Sequence, residues 1–121
     1  MGKRILAVDD QEDNRRIFRD LLTAVGYEVI EAVDGEEAVV LAEQHVPELI
    51  LMDIQLPGID GYEATRRIKA NPILASVPVI AVTSYALTGD DVKAFEAGCD
   101  AYVAKPFSPR ALLAKVREYV G

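Results

Sequence analysis

Apolar residues in this chain fall into five short runs, each bounded by polar residues, glycine or proline. The runs are Arg4–Val8, Tyr27–Val33, Leu49–Asp53, Pro78–Val82 and Ala101–Ala104. Each is four to seven residues long and too short for a membrane span, so each reads as a strand. Leu49, Ile50, Leu51 and Met52 run straight into Asp53, between Pro47 and Pro57, as in a strand buried on both faces. The second run carries Glu28 and Glu31 and predicts a wetter strand at a sheet edge.

Between the runs the period changes to that of a helix. A polar stretch from Gln11 to Asn14 leads into helix one, whose stripe is Phe18, Leu21, Leu22 and Val25, with Gly26 as its stop. Asp34 caps helix two, with Ala38, Leu41, Ala42 and Val46 inward and Pro47 at its end. Asp60 and Glu63 have capping-box spacing for helix three, with Ala64, Ile68 and Tyr62 inward and Asn71-Pro72 closing it. Thr88 caps a short helix four, with Val92 and Phe95 inward and Gly98 as its stop. Ser108 caps helix five, Pro109 takes its first position, and Leu112, Leu113, Val116 and Val120 form its stripe.

Strand and helix thus alternate five times, which implies a parallel sheet with helices on both faces. Placing the three most apolar strands at the centre, with right-handed crossovers, gives the order 2-1-3-4-5. The expected fold is α/β, a doubly wound, flavodoxin-like five-stranded parallel sheet, with residues 1–121 forming one domain.

Composition narrows the function. Of 121 residues half are hydrophobic and 27% charged, as in ordinary globular proteins. The net charge of −7 argues against a nucleic-acid binder that works by neutralising phosphates. The lone Cys99 makes no intramolecular disulfide and reads as a small buried residue. With neither signal peptide nor spanning segment in view, the expectation is a cytoplasmic protein without membrane insertion. His45, near the end of helix two, reads as a solvated helix-end residue.

The candidate chemistry stands at the strand ends. Strand one ends in Asp9-Asp10, strand three in Asp53, strand four in Thr83 and strand five in Lys105. Taken singly, Asp53 would start a turn, Thr83 would cap a helix and Lys105 would be a surface charge. In a parallel sheet all these ends share one rim, around the reversal between strands one and three. Two like charges ~4 Å apart repel by about 4 kcal/mol at an effective dielectric of about 20. Three converging carboxylates therefore need protons or cations, and one lysine is not enough. An all-oxygen donor set favours magnesium or a similar hard ion, with manganese as the alternative. Magnesium takes one or two carboxylates, which leaves Asp53 free to attack phosphorus and form an acyl phosphate. Lys105 and the Thr83 hydroxyl would then surround the phosphoryl oxygens.

On Asp9-Asp10, Leu-Met-Asp53-Ile-Gln-Leu-Pro-Gly-Ile-Asp-Gly, Thr83-Ser84 and Lys105-Pro106, the whole chain resembles the CheY-like receiver domains of two-component response regulators. Within them it looks most like the stand-alone DivK type and the receivers of hybrid histidine kinases. The resemblance implies a phosphorelay switch, in which Asp53 accepts a phosphoryl group from a histidine kinase or histidine phosphotransfer protein. It implies Asp10 as a direct Mg2+ ligand and Asp9 as one partly through water, with Asp53 and the Gln55 backbone carbonyl completing the set. Lys105 would pair with the phosphorylated carboxylate, before a cis Pro106, and Thr83 and Ser84 would contact the phosphoryl group. Thr83 and Tyr102 would be the switch pair, reshaping the surface of helix four, strand five and helix five for a downstream protein. Gln55 and Tyr85 stand at positions that tune hydrolysis of the acyl phosphate.

Two other readings compete. A phosphohydrolase with an aspartyl-phosphate intermediate wants a second acid two residues after the nucleophile, where this chain has Gln55, and a substrate-binding cap. A flavodoxin-like cofactor binder wants a Ser/Thr/Gly-rich phosphate loop after strand one, where this chain has Asp-Asp-Gln-Glu-Asp. The expectation is therefore a phosphoacceptor switch that assists its own phosphorylation and dephosphorylation, not an enzyme with an outside substrate. Helix five runs to the end of the sequence, so output is expected by protein contact, or the chain is a piece of a larger protein. Met1 immediately before strand one favours a stand-alone receiver.

Overall fold

A computed structural model describes residues 3–83 and 90–120, apart from the side chains of Asp90 and Asp91. The strands are β1 (Arg4–Val8), β2 (Glu28–Ala32), β3 (Leu49–Asp53), β4 (Val79–Thr83) and β5 (Ala101–Ala104). The helices are α1 (Glu12–Ala24), α2 (Gly35–His45), α3 (Gly61–Ala70), α4 (Asp90–Ala97) and α5 (Pro109–Val120). All strand pairs are parallel and the order is β2-β1-β3-β4-β5, so the expected flavodoxin-like topology is present.

The central strands bury both faces because both are covered by helices. Leu6, Val8, Ile50, Met52, Val79 and Ala81 pack with Ala38, Ala42, Ala64, Ile68 and Ala94 of α2, α3 and α4. The alternate positions Ile5, Ala7, Leu49, Leu51, Ile80 and Val82 pack with Phe18, Leu22, Leu112 and Val116 of α1 and α5. A one-residue slip of β3 would exchange the two faces, so packing against both layers pins the register.

The caps explain where several helices start. Asp34 accepts from the Glu37 backbone N at 2.7 Å, and Asp60 from that of Glu63 at 2.9 Å. Ser108 Oγ accepts from the Ala111 backbone N at 2.9 Å. Gly26 and Gly98, at φ of 96° and 109°, follow α1 and α4 in the conformation that favours glycine.

Several expectations are corrected. α1 begins at Glu12, so Asn14 lies inside the helix and not in a preceding loop. Val25 and Val46 are exposed, because each falls in a cap outside its helix, and Val46 has φ of 43°. In α4 the inward residues are Ala94 and Ala97, whereas Val92 and Phe95 are 55% and 50% exposed. Both pairs have helical spacing, and the layer under α4 takes the small one. Thr88, expected to cap α4, lies outside the described residues, as do Ser84 and Tyr85.

One close contact holds α3 at the end of β3. The Gly61 N donates to Ile54 O at 3.0 Å, and a Cβ built on Gly61 would lie 2.3 Å from Asp53 O and 2.7 Å from Ile54 Cα. Both neighbours are backbone, so neither can swing aside. Gly61→Ala is expected to destabilise the protein by about 2 kcal/mol, as overpacking does. A lower urea midpoint with an unchanged slope would show it.

Candidate functional site

The rim is assembled by register. Val8 stands opposite Met52, so the residue after β1, Asp9, comes beside Asp53. Asp53 stands opposite Val82, and the next residue, Thr83, stands opposite Ala104. Lys105 follows Ala104, and its backbone N donates to Thr83 O at 2.7 Å. Phe107, just beyond, stacks on Phe18 of α1 with ring centroids 5.5 Å apart. The Lys105–Pro106 peptide is cis.

Oxygens of Asp9, Asp10 and Asp53 lie within 4.8 Å of one another. Asp9 is fully buried, Asp53 is 3% exposed and Asp10 is exposed. Lys105 Nζ lies 3.2 Å from Asp9 Oδ2 and 3.6 Å from Asp53 Oδ1. The lysine thus sits nearer the strand-one acid than the expected phosphoacceptor. Asp9 Oδ1 also accepts from the Gln11 backbone N at 2.9 Å and from Asn14 Nδ2 at 3.4 Å. Asp53 Oδ1 accepts from the Gln55 backbone N at 3.2 Å.

One cation against three carboxylates leaves the cluster short of positive charge. Burial is the first reason that the Asp53 carboxyl is pushed up to about 6, and the charge on Asp9 adds to it. Lys105 and the Gln55 N–H pull the other way without cancelling the rise. An all-oxygen set with an uncompensated negative charge suits a hard divalent cation. Asp10, Gln11, Asn14, Asp53, Gln55 and Lys105 line a cleft of about 370 Å³ that would admit one.

A family model described as the response regulator receiver domain matches residues 5–117. The chain belongs to the response regulator receiver family. Two-component phosphorelay signalling is the function of that family, and its members are phosphoacceptor switches, not enzymes of the usual kind. They work with histidine kinases or phosphotransfer proteins. This receiver is 45% identical over 121 residues to the polar-differentiation response regulator DivK of Brucella anthropi, covering 100% of this chain and 98% of that one. Among solved structures, it is similar to the receiver domain of sensor histidine kinase PA1611 from Pseudomonas aeruginosa. Identity there is 40% and the TM-score 0.94, over 100% of this chain and 99% of that one. That structure has a magnesium ion coordinated in its active-site cleft. The chemotaxis protein CheY4 of Vibrio cholerae is 26% identical, with a TM-score of 0.93 over 98% and 99% of the two chains.

The receiver brings together Asp9, Asp10, Asp53, Gln55 and Lys105, as its sequence leads one to expect. Thr83 is buried at the end of β4, one strand from Asp53. Tyr102 lies on β5, half-buried and edge-on to Phe95 at 6.2 Å. Asn14 and Arg15 are the residues that sequence reasoning missed. Asn14 lines the cleft, and Arg15 Nη1 donates to Asp9 O at 2.8 Å. Their signal was that the helix starts early enough to put its first turn against the Asp9-Asp10 corner. Cys99 is buried at the other end of the fold, and burial pushes its thiol up to about 11, far from a reactive thiolate. Among the described residues, no helix is long and apolar enough to cross a membrane.

Proposed function

We propose that Asp53 is the phosphoacceptor of a cytoplasmic phosphorelay switch. The observation that carries this is a buried carboxylate 3.6 Å from a lysine and within 4.8 Å of two further acids. An Asp53 oxygen attacks the phosphorus of a phosphohistidine, the P–N bond breaks, and the imidazole leaves with the bonding pair. Asp9, Asp10, Asp53 and the Gln55 carbonyl would hold Mg2+, which when bound supplies the charge neutralisation that a phosphoryl group needs among carboxylates. Lys105 moves from Asp9 to a phosphoryl oxygen, and the Thr83 hydroxyl donates to another. Ser84 is assigned to the same contact by resemblance alone. Attack of water on the acyl phosphate, within the same residues, returns the free carboxylate and inorganic phosphate.

The output surface we assign is α4–β5–α5. Val92 and Phe95 expose apolar area there, and Tyr102 lies against Phe95, opposite Ala81, two residues before Thr83 on the neighbouring strand. An apolar patch beside the switch pair suits a protein partner. With Mg2+ and acetyl phosphate, the protein is expected to gain the mass of one phosphoryl group. Beryllium fluoride should shift the ring resonances of Tyr102 and Phe95. No labelling with any small donor or phosphorylated kinase would overturn the assignment.

A further inference from the structure

We propose that Arg15 is a positioning residue for the cation site, holding the Asp9–Asp10 peptide so that the Asp10 carboxylate stays in the cleft. The inference rests on the metal reading above and concerns a residue outside the ligand set. Arg15 is only 11% exposed, although it carries a full charge. Its guanidinium is used in three directions. Nη1 donates to Asp9 O at 2.8 Å, Nε to Glu31 Oε1 at 3.2 Å and Nη2 to Glu12 Oε2 at 2.6 Å. A rigid planar fork with three fixed partners has little freedom to turn.

The Asp9 carbonyl belongs to the peptide that joins the two acids. Its N-terminal neighbour is also tied down, because the Asp9 N donates to Ala32 O on β2 at 3.1 Å. The Asp9 side chain is held by Gln11, Asn14 and Lys105. Asp10 is the exposed acid of the three, and no hydrogen bond or ion pair to its side chain is present among the described residues. Its place therefore depends on the backbone before it, which Arg15 fixes. This also gives Glu31 a use. A glutamate in an edge strand anchors Arg15, with Arg19 at 2.7 Å on its other oxygen.

Charge alone predicts the opposite effect. A guanidinium beside an acidic site repels a divalent cation, so its loss should tighten binding. Loss of an outer partner that orients ligands should weaken binding, by about tenfold or more. The sign separates the two. The experiment is a Mg2+ titration of the full chain, followed by the amide resonances of Asp10 and Gln55. Arg15→Met and Arg15→Lys are each expected to weaken Mg2+ binding about tenfold. Arg15→Lys keeps the charge and loses the fork, and it decides the matter if Arg15→Met does not fold. Arg19→Met is the control. Arg19 shares Glu31 and Glu12 with Arg15, but among the described residues it makes no hydrogen bond or ion pair with Asp9. That variant should bind like the wild type. Unchanged or tighter binding in Arg15→Lys, with wild-type binding intact, would overturn the positioning role and leave the metal reading standing. No binding by the wild type would instead remove the metal reading itself.

Discussion

Asp53→Asn is expected to abolish phosphoryl labelling and, in metal-free buffer at neutral pH, to be more stable than the wild type. The first effect follows from removing the attacking oxygen anion, since an amide is no nucleophile toward phosphorus. The second follows from the site's charge. Burial and the Asp9 charge raise the Asp53 carboxyl from 3.8 in the unfolded chain to about 6 in the folded one. Between those values the folded state holds more protons than the unfolded state, so stability falls as pH rises through the window. Above about 6 the whole loss is present, and a shift of this size is on the order of 3 kcal/mol.

Asparagine keeps the shape and the acceptor for the Gln55 N–H without the charge. It should therefore raise the metal-free Tm at pH 7 by roughly 10–15 °C. The gap should close near pH 4, where the wild-type carboxyl is protonated. Mg2+ should also narrow it, because a ligand of the folded state stabilises by mass action and the wild type binds it better. Thermal melts of both proteins at pH 4 and 7, with and without Mg2+, check the sign. A variant less stable than the wild type at pH 7 without metal would show that Asp53 is not strained by its neighbours.

Lys105→Met is expected to slow phosphorylation by acetyl phosphate by about 100-fold while leaving Mg2+ binding intact or tighter. Lys105 is the one cation within salt-bridge reach of Asp9 and Asp53 among the described residues. Fixed charges placed where charge develops are worth about two to three powers of ten in rate. Cation binding goes the other way, because removing a positive charge leaves the three carboxylates more electronegative. Asp53 should also move further above 6, since Lys105 is what pulls it down. Mass-based rates of labelling and a Mg2+ titration read the two effects separately. Equal losses in both would mean that the lysine holds the site together and does not act on the phosphoryl group.

The five strands were legible because each is a short apolar run that stops at a polar residue. Their alternation with helices implied a parallel sheet, and a parallel sheet puts all its strand ends on one rim. Asp9, Asp10, Asp53, Thr83 and Lys105 could thus be grouped before any distance was known. The α4 face was not legible. Val92 and Phe95 repeat at the same spacing as Ala94 and Ala97, and size favoured the wrong pair. Periodicity finds a stripe, but what lies beneath it selects between two stripes. Glu31 was equally opaque, since a glutamate in an apolar run says only that the strand is wet. Its partners, Arg15 and Arg19, come from a helix that precedes it by 16 and 12 residues.

Local pattern and chain order by themselves determined the fold class, the strand order and the identity of the rim residues. Those follow from hydrophobic periodicity, which is a property of neighbours along the chain. Only the tertiary structure decided that Lys105 rests closer to Asp9 than to Asp53, and that Asp53 is held near 6. It also decided that Arg15 reaches the Asp9 carbonyl. These depend on distances of a few ångströms between residues far apart in sequence. Coulomb and desolvation energies change by kilocalories over such distances, while the hydrophobic pattern stays the same.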